Sequence, residues 1–268
     1  MMIDFHTHCF PDRILDKAMS ALRENSGMVE TPTDGSLHDL RRYMREAGID
    51  RSVVLNIATN PRQQRNVNNF AIENNSRDLV MFGSVHPFAE DALEELERLK
   101  DAGIMGIKLH PDYQEFFVDD FAVFPVYETA ARLGLITVFH AGLDCGLPGE
   151  IHCPPDRLKK ALPVFGGGVV VAAHFGGYMM WDEVLTHLAG KNLYFDTSFC
   201  GARIPKDLAV KLVNAHGADK ILLGSDLPWS PTRNEAGFIR SLGLRPDTVD
   251  RILGLNAQML LKRKERPS

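Results

Sequence analysis

The chain alternates short apolar runs with longer segments in which charge is interrupted by an apolar stripe. Eight runs are rich in β-branched and aromatic residues, and most close on a polar residue before Gly, Pro or a turn. They are Met2–His8, Ser52–Ile57, Val80–His86, Gly106–His110, Ile136–His140, Val169–His174, Leu193–Asp196 and Ile221–Asp226. Near-continuous apolar runs of this length suit parallel strands covered on both faces. Between them, Ser36-Leu37-His38-Asp39 carries a capping pattern that opens a helix through Ala47, with Gly48 as its stop. Ala89–Ala102 places Leu93, Leu96 and Leu99 along one stripe of a charged helix that Gly103 ends. Phe121–Leu133, Asp156–Phe165, Trp181–Leu188 and Pro205–His216 read the same way, and Thr248–Leu253 and Asn256–Lys262 read as closing helices.

Strand ends fall near residues 8, 57, 86, 110, 140, 174, 197 and 226. Most are separated by about 30 residues, the length of a strand with its crossover helix. Eight such units are the arithmetic of an α/β chain folded as a (β/α)8 TIM barrel, a single domain over residues 1–268. No strand is followed by G-x-G-x-x-G or a P-loop, which disfavours an open nucleotide-binding sheet. The first spacing is the longest. Its excess, residues 9–35, is expected to insert as a lid or short helix over the barrel mouth, with its tip around Asn25-Ser26-Gly27.

Composition narrows the class. The 268 residues are 44% hydrophobic and 24% charged, with a formal charge of −5. A mildly acidic chain is a poor partner for nucleic acid or an anionic membrane. No apolar run is long enough to span a bilayer and the N-terminus lacks a signal pattern, so a cytoplasmic protein is expected. The one dense basic run, Lys262–Arg266, reads as the solvated last turn of a helix. Four cysteines at 9, 145, 153 and 200 form no C-x-x-C pair, so neither a zinc knuckle nor a disulfide scaffold is written here.

The chemistry gathers where strands end. His6 and His8 close strand 1, Lys108 and His110 strand 4, His140 strand 5, His174 strand 6 and Asp226 strand 8. In a barrel these ends meet at one mouth. Side chains alternate along a strand, so His6 and His8 share a face and can grip one ion. His140, His174 and Asp226 reach the same centre from other strands. Imidazole with carboxylate suits Zn2+, with Mn2+, Fe2+ or Co2+ as alternatives. Arg13, Arg62, Arg65, Arg203 and Arg233 follow strands near the mouth and, with Lys108, favour a small carboxylate-bearing substrate. Trp181 and Trp229 can wall a pocket there. The absence of G-x-S-x-G disfavours a serine hydrolase.

Asp4-Phe5-His6-Thr7-His8, Gly106-Ile107-Lys108-Leu109-His110-Pro111, His140-Ala141-Gly142, His174-Phe175-Gly176-Gly177 and Gly224-Ser225-Asp226-Leu227-Pro228-Trp229, in this order, resemble the amidohydrolase superfamily. The branch they are most similar to is the amidohydrolase-related (amidohydrolase-2) family, which includes the aminocarboxymuconate-semialdehyde decarboxylase-like enzymes. The resemblance implies a distorted barrel with one divalent metal, usually zinc, held by His6, His8, His140 and Asp226. Asp226 and His174 would be the catalytic pair, with His174 an acid/base beside the ion. Lys108 would either bridge two metals as a carboxylated lysine or, the preferred reading, bind a substrate anion unmodified. His110 and Arg233 join it as substrate-binding candidates. The expected activity is hydrolysis of a C–N or C–O bond through a metal-activated water. The alternatives are non-oxidative decarboxylation on the same residues and a non-catalytic metal-binding barrel. The expected partner is a small-molecule substrate, with room for a homodimer.

Overall fold

The computed structural model describes residues 1–26 and 31–265. Its eight strands are β1 Ile3–Thr7, β2 Arg51–Leu55, β3 Leu79–Phe82, β4 Gly106–Leu109, β5 Ile136–Phe139, β6 Val170–Ala172, β7 Tyr194–Asp196 and β8 Ile221–Leu222. All paired neighbours run parallel, β1 to β3 in one ladder and β4 to β8 in another. Two seams close the ring. Lys108 N–H donates to Gly83 O (2.9 Å) between β3 and β4, and Phe5 N–H donates to Leu223 O (2.7 Å) between β1 and the end of β8.

The helices are α1 Leu15–Ser26, α2 Leu37–Ala47, α3 Gln64–Asn74, α4 Ala92–Asp101, α5 Phe124–Arg132, α6 Pro155–Ala161, α7 Trp181–His187, α8 Lys206–His216, α9 Thr232–Arg240, α10 Pro246–Asp250 and α11 Asn256–Glu265. A π-helical turn, Arg251–Leu255, joins the last two. The expected cap of α2 forms: Ser36 Oγ accepts from Asp39 N–H (3.0 Å), and Gly48 ends the helix at φ 69°. Helices α3 and α9 were not legible as helices. Polar residues interrupt their buried faces, Gln64 and Asn68 beside Ala71 in one, Thr232 and Glu235 beside Ala236, Phe238 and Ile239 in the other, which breaks the apolar stripe.

Alternation sorts the strand side chains into two layers. Val54, Leu79, Met81, Ile107, Leu109, Phe139 and Ala172 face outward and pack under the helices. Val53, Leu55, Val80, Phe82, Ile136, Val138, Val171 and Leu222 face inward and form an apolar floor, closed from below by Ala257, Leu260 and Leu261 of α11. β1 breaks the alternation. Its register with β2 shifts between Asp4 and Thr7. A bulge places two successive residues on one side. Phe5 therefore packs edge-on to Phe82 in the floor (5.9 Å), while His6, the next residue, also faces the interior one layer higher.

The observed strands stop one to four residues before the predicted ends in most cases, because the chain leaves the ladder as it delivers its chemical groups. His174 (φ 60°) and Asp226 (φ 72°) sit in the left-handed region, which side-chain-bearing residues seldom adopt outside functional sites. The described residues of the 9–35 stretch hold a 3-10 turn, Asp12–Ile14, and helix α1, whose Leu15 and Met19 lie against Gly35. That is the helix of the expectation, but no described contact makes it a lid. Part of its expected tip, Gly27, lies outside the described residues, as does Arg266 of the basic run. No described helix is long and apolar enough to cross a membrane.

Candidate metal centre

Three acceptor atoms meet above the floor. His6 Nε2 and His8 Nε2 are 3.2 Å apart, and Asp226 Oδ1 lies 3.3 Å from the first and 3.1 Å from the second. The far side of each imidazole fixes what its Nε2 can do. His6 Nδ1 faces Asp196 Oδ2 at 2.8 Å, and His8 Nδ1 faces the carbonyl of Leu55 at 2.8 Å. Both partners can only accept, so both Nδ1 atoms carry the proton and both Nε2 atoms present lone pairs. Two lone pairs and a carboxylate oxygen then converge with no hydrogen among them. A divalent ion satisfies all three. For ligands about 2.1 Å from a four-coordinate zinc the edges are about 3.4 Å, close to those found. The group fits the residues.

Burial and electrostatics keep this trio in the ligand form. Burial, helped by the nearby Lys108 ammonium, pushes His6 down to about 4 against the pull of Asp196. Burial opposes ionisation of Asp226, yet the imidazoles of His8, His6 and His174 around it hold its carboxyl well below the usual range. Asp196 behaves alike: burial raises it, but His6, His174 and Ser198 more than offset this. A carboxylate behind a metal-facing imidazole fixes its tautomer and raises its basicity.

His140, the expected fourth ligand, is not among the atoms that gather most tightly with His6, His8 and Asp226. Its Nδ1 lies 3.1 Å from His174 Nε2, while its Nε2 points toward Asp144 Oδ2 at 3.9 Å and has no hydrogen-bond partner. His174 is held by its Nδ1 on Ser198 O (2.9 Å) and its carbonyl on the Trp181 indole N–H (3.1 Å), so its Nε2 also offers a lone pair. Lys108, 1% exposed, rises from β4 with Nζ 3.5 Å from His6 Nε2, and burial pushes it down to about 8. His110 is buried beside His140, the rings stacked at 4.1 Å and 11°.

His110, His140 and Asp144 also gather closely enough to suggest a second cation site. Stacked rings send their in-plane lone pairs in parallel directions rather than toward one point. Moreover, Tyr113 N–H points at His110 Nδ1 (3.3 Å), which leaves the proton on Nε2 as a donor to Asp144 (3.0 Å). That group is a hydrogen-bonded dyad with a stacked neighbour, not a cradle for an ion.

The arginines do not join the centre. Arg13, Arg62, Arg65, Arg203 and Arg233 are all exposed. Arg65 pairs with Glu95 (3.4 Å), and Arg203 lies over the Phe199 ring (3.7 Å). Arg233 sits on the first turn of α9. Trp181 packs at the start of α7, and Trp229 is half-buried after Asp226. Sequence reasoning missed Asp196, Ser198, Asp112 and Asp144. Asp196 had the signal that found Asp226, a carboxylate closing a predicted strand. Asp112 and Asp144 are loop residues with no pattern to mark them.

The sequence profile of the family described as Amidohydrolase matches residues 3–263. No curated protein matches the chain. Among solved structures, an uncharacterised TIM-barrel protein from Bordetella bronchiseptica superposes with TM-score 0.74 at 20% identity, over 99% of each chain. A 5-carboxyvanillate decarboxylase from Sphingomonas paucimobilis gives 0.70 at 15%, over 97% of this chain and 98% of that one. A dihydroxybenzoic acid decarboxylase from Polaromonas sp. JS666, solved with manganese and 2-nitroresorcinol, gives 0.71 at 17%, over 99% and 98%. At these identities the likeness is one of fold.

Proposed function

The chain belongs to the amidohydrolase family, and from that membership and the geometry of the mouth we propose a metal-dependent enzyme that decarboxylates a small carboxylic acid without an oxidant. The observation that carries the reading is the convergence of His6 Nε2, His8 Nε2 and Asp226 Oδ1 on one point, lone pairs inward. Two imidazoles and a carboxylate suit Zn2+ first and Mn2+ next. Two similar solved structures are named as decarboxylases, one of them with manganese, which supports this choice over hydrolysis.

Held by His6, His8 and Asp226, a divalent ion would supply positive charge to stabilise the negative charge left as carbon dioxide departs. Lys108, among the described residues the one buried cation beside the trio, anchors the substrate carboxylate. His174 accepts a proton at Nε2 and delivers it to the carbon that carbon dioxide leaves. The balance is one carboxylate and one proton consumed, one carbon–hydrogen bond and one carbon dioxide formed. Ser198 and Trp181 keep that imidazole aimed. The hydrolytic reading uses the same groups and draws on the family's description. The substrate is a small molecule in a reducing cytoplasm, with no nucleic acid or membrane involved, and a homodimer is to be read from mass in solution.

The test pairs metal analysis with product analysis. Purified protein is expected to hold about one ion per chain and to release carbon dioxide from a member of an aromatic and β-keto acid panel. Two ions per chain would place the second between His140 Nδ1 and His174 Nε2. Turnover of lactones, esters or amides without carbon dioxide would replace decarboxylation by hydrolysis, and metal with no turnover on either panel would leave a binding barrel.

A further inference from the structure

Two buried side chains behind the trio take no part in the proposed chemistry. Asp4 lies two positions before His6, and Ser225 immediately precedes Asp226. Both are fully buried. Asp4 Oδ1 accepts from the N–H groups of Ser225 (3.0 Å) and His6 (3.2 Å), and its Oδ2 accepts from the hydroxyls of Ser225 and Thr232. A carboxylate has about four acceptor positions, so this one is saturated and has nothing left for a substrate. Its bonds run to β1, to the chain just after β8 and to α9.

The bonds on either side of Asp226 show what this pair holds. Asp226 has φ 72°, in the left-handed region where a side chain crowds its own backbone. Its N–H donates to His6 O (2.8 Å), which ties one ligand-bearing residue to the other. Before it, Ser225 is gripped by Asp4 through both N–H and hydroxyl. After it, Leu227 N–H donates to Ser225 Oγ (3.1 Å). The Ser225 hydroxyl therefore spans the left-handed residue. It takes the N–H that follows Asp226 and gives its own proton to Asp4, ahead of the more distant His6 O (3.4 Å). Gly224 lets this segment lie close, since a Cβ there would come within 2.9 Å of His6 Cβ. A residue in a strained conformation keeps it only where its surroundings over-determine it. Relaxation of Asp226 to an ordinary φ would swing Oδ1 away from His6 Nε2 and His8 Nε2, now 3.3 and 3.1 Å off.

We propose that Ser225, anchored on Asp4, is a positioning residue that holds Asp226 in its ligating conformation. The inference rests on the metal reading of His6, His8 and Asp226, and adds that affinity for the ion is set from behind, by a hydroxyl that is not a ligand. Thr232 supplies the control. Its hydroxyl donates to the same carboxylate and is as deeply buried, but it comes from α9 and belongs to none of the bonds that flank Asp226.

The experiment loads wild type, Ser225→Ala and Thr232→Val with zinc or cobalt. Competition with a chelator reads zinc affinity, and the visible absorption of the cobalt form reads coordination geometry. Ser225→Ala is expected to bind zinc about tenfold or more weakly, the cost of losing an outer partner of a ligand, and to alter the cobalt bands. Thr232→Val is expected to melt lower without metal, yet to keep the zinc affinity and cobalt bands of wild type. If Ser225→Ala does not fold, Ser225→Cys replaces it, because a thiol keeps the volume but donates and accepts only weakly, and the same changes are expected. Wild-type affinity and bands in a folded Ser225 variant overturn the proposal. So does a loss of zinc affinity in Thr232→Val equal to that in the Ser225 variant, which would make these bonds a matter of general stability. A wild type that takes up neither metal sinks the metal reading, and this inference with it, whereas uptake by wild type with an unaltered Ser225 variant sinks the inference alone.

Discussion

Replacing Asp196 by asparagine leaves side-chain volume almost untouched, yet it reverses the direction in which one hydrogen bond can run. Asp196 is fully buried. Its Oδ2 accepts from His6 Nδ1 (2.8 Å), and its Oδ1 accepts from His174 N–H (3.1 Å), Ser198 N–H (3.0 Å) and the Ser198 hydroxyl. An asparagine has one oxygen for these two duties. If its amide nitrogen faces the backbone, two buried N–H groups lose their acceptor, at about 1–3 kcal/mol each. If it faces His6 instead, one contact is at stake, so this orientation wins. It makes His6 Nδ1 an acceptor and moves the ring proton to Nε2, the atom that faces the ion. Loss of such an outer partner costs about 10–100-fold in metal affinity, or about 1.4–2.7 kcal/mol. Competition against a chelator of known affinity measures it, with the melting temperature of the metal-free variant as the check on folding. An Asp196→Asn protein that folds and binds zinc within twofold of wild type would refute the tautomer reasoning.

His6→Ala removes a lone pair from the trio and is expected to lose most of its metal, whereas His174→Ala keeps the trio, retains metal and loses about 10²–10⁴-fold in kcat. Equal metal loss in both would make His174 a ligand, paired with His140. Glu235 is a separate matter of stability: it is buried, accepts from Gly201 N–H (2.8 Å) and Ser230 Oγ–H (2.7 Å), and burial pushes it from its ordinary 4.5 up to about 7. A carboxyl raised on folding contributes stability that is full below its unfolded value and lost as pH rises through the folded one, so relative to Glu235→Gln the wild type should lose up to about 3 kcal/mol between those values. A difference in unfolding free energy that stays flat across that window would show that Glu235 titrates normally.

The strands and the barrel were legible because parallel strands buried on both faces need unbroken apolar runs, and because crossover helices fix their spacing. His6, His8 and Asp226 were legible as polar residues that end such runs. What alternation cannot show is the shift in β1 that turns both Phe5 and His6 inward, since a bulge depends on the neighbouring strand. Nor can strand position show which way a ring nitrogen points: His140 ends β5 as expected, but its nitrogens address His174 and Asp144 rather than the trio. Helix α9 was hidden because Glu235 and Thr232 occupy its buried face, with partners on distant loops and on β1. The arginines had the right charge and follow the right strands, but long side chains after a strand end remain in solvent unless something fixes them.

The seam between the first and last strands carries a consequence for how the protein comes into being. His8 and Asp226 are 218 residues apart in the chain, and Asp4 ties the two sides by accepting from Ser225 and Thr232. No fragment lacking β8 can assemble the trio, so tight metal uptake reports that the ring has shut. The ion in turn favours only the shut state, by mass action, across a loop whose closure entropy grows slowly with its length. Metal binding at the trio is thereby coupled to closure of the ring. A chain that stops short of Asp226 lacks one of the three acceptor atoms, and without β8 one edge of β1 is left unpaired.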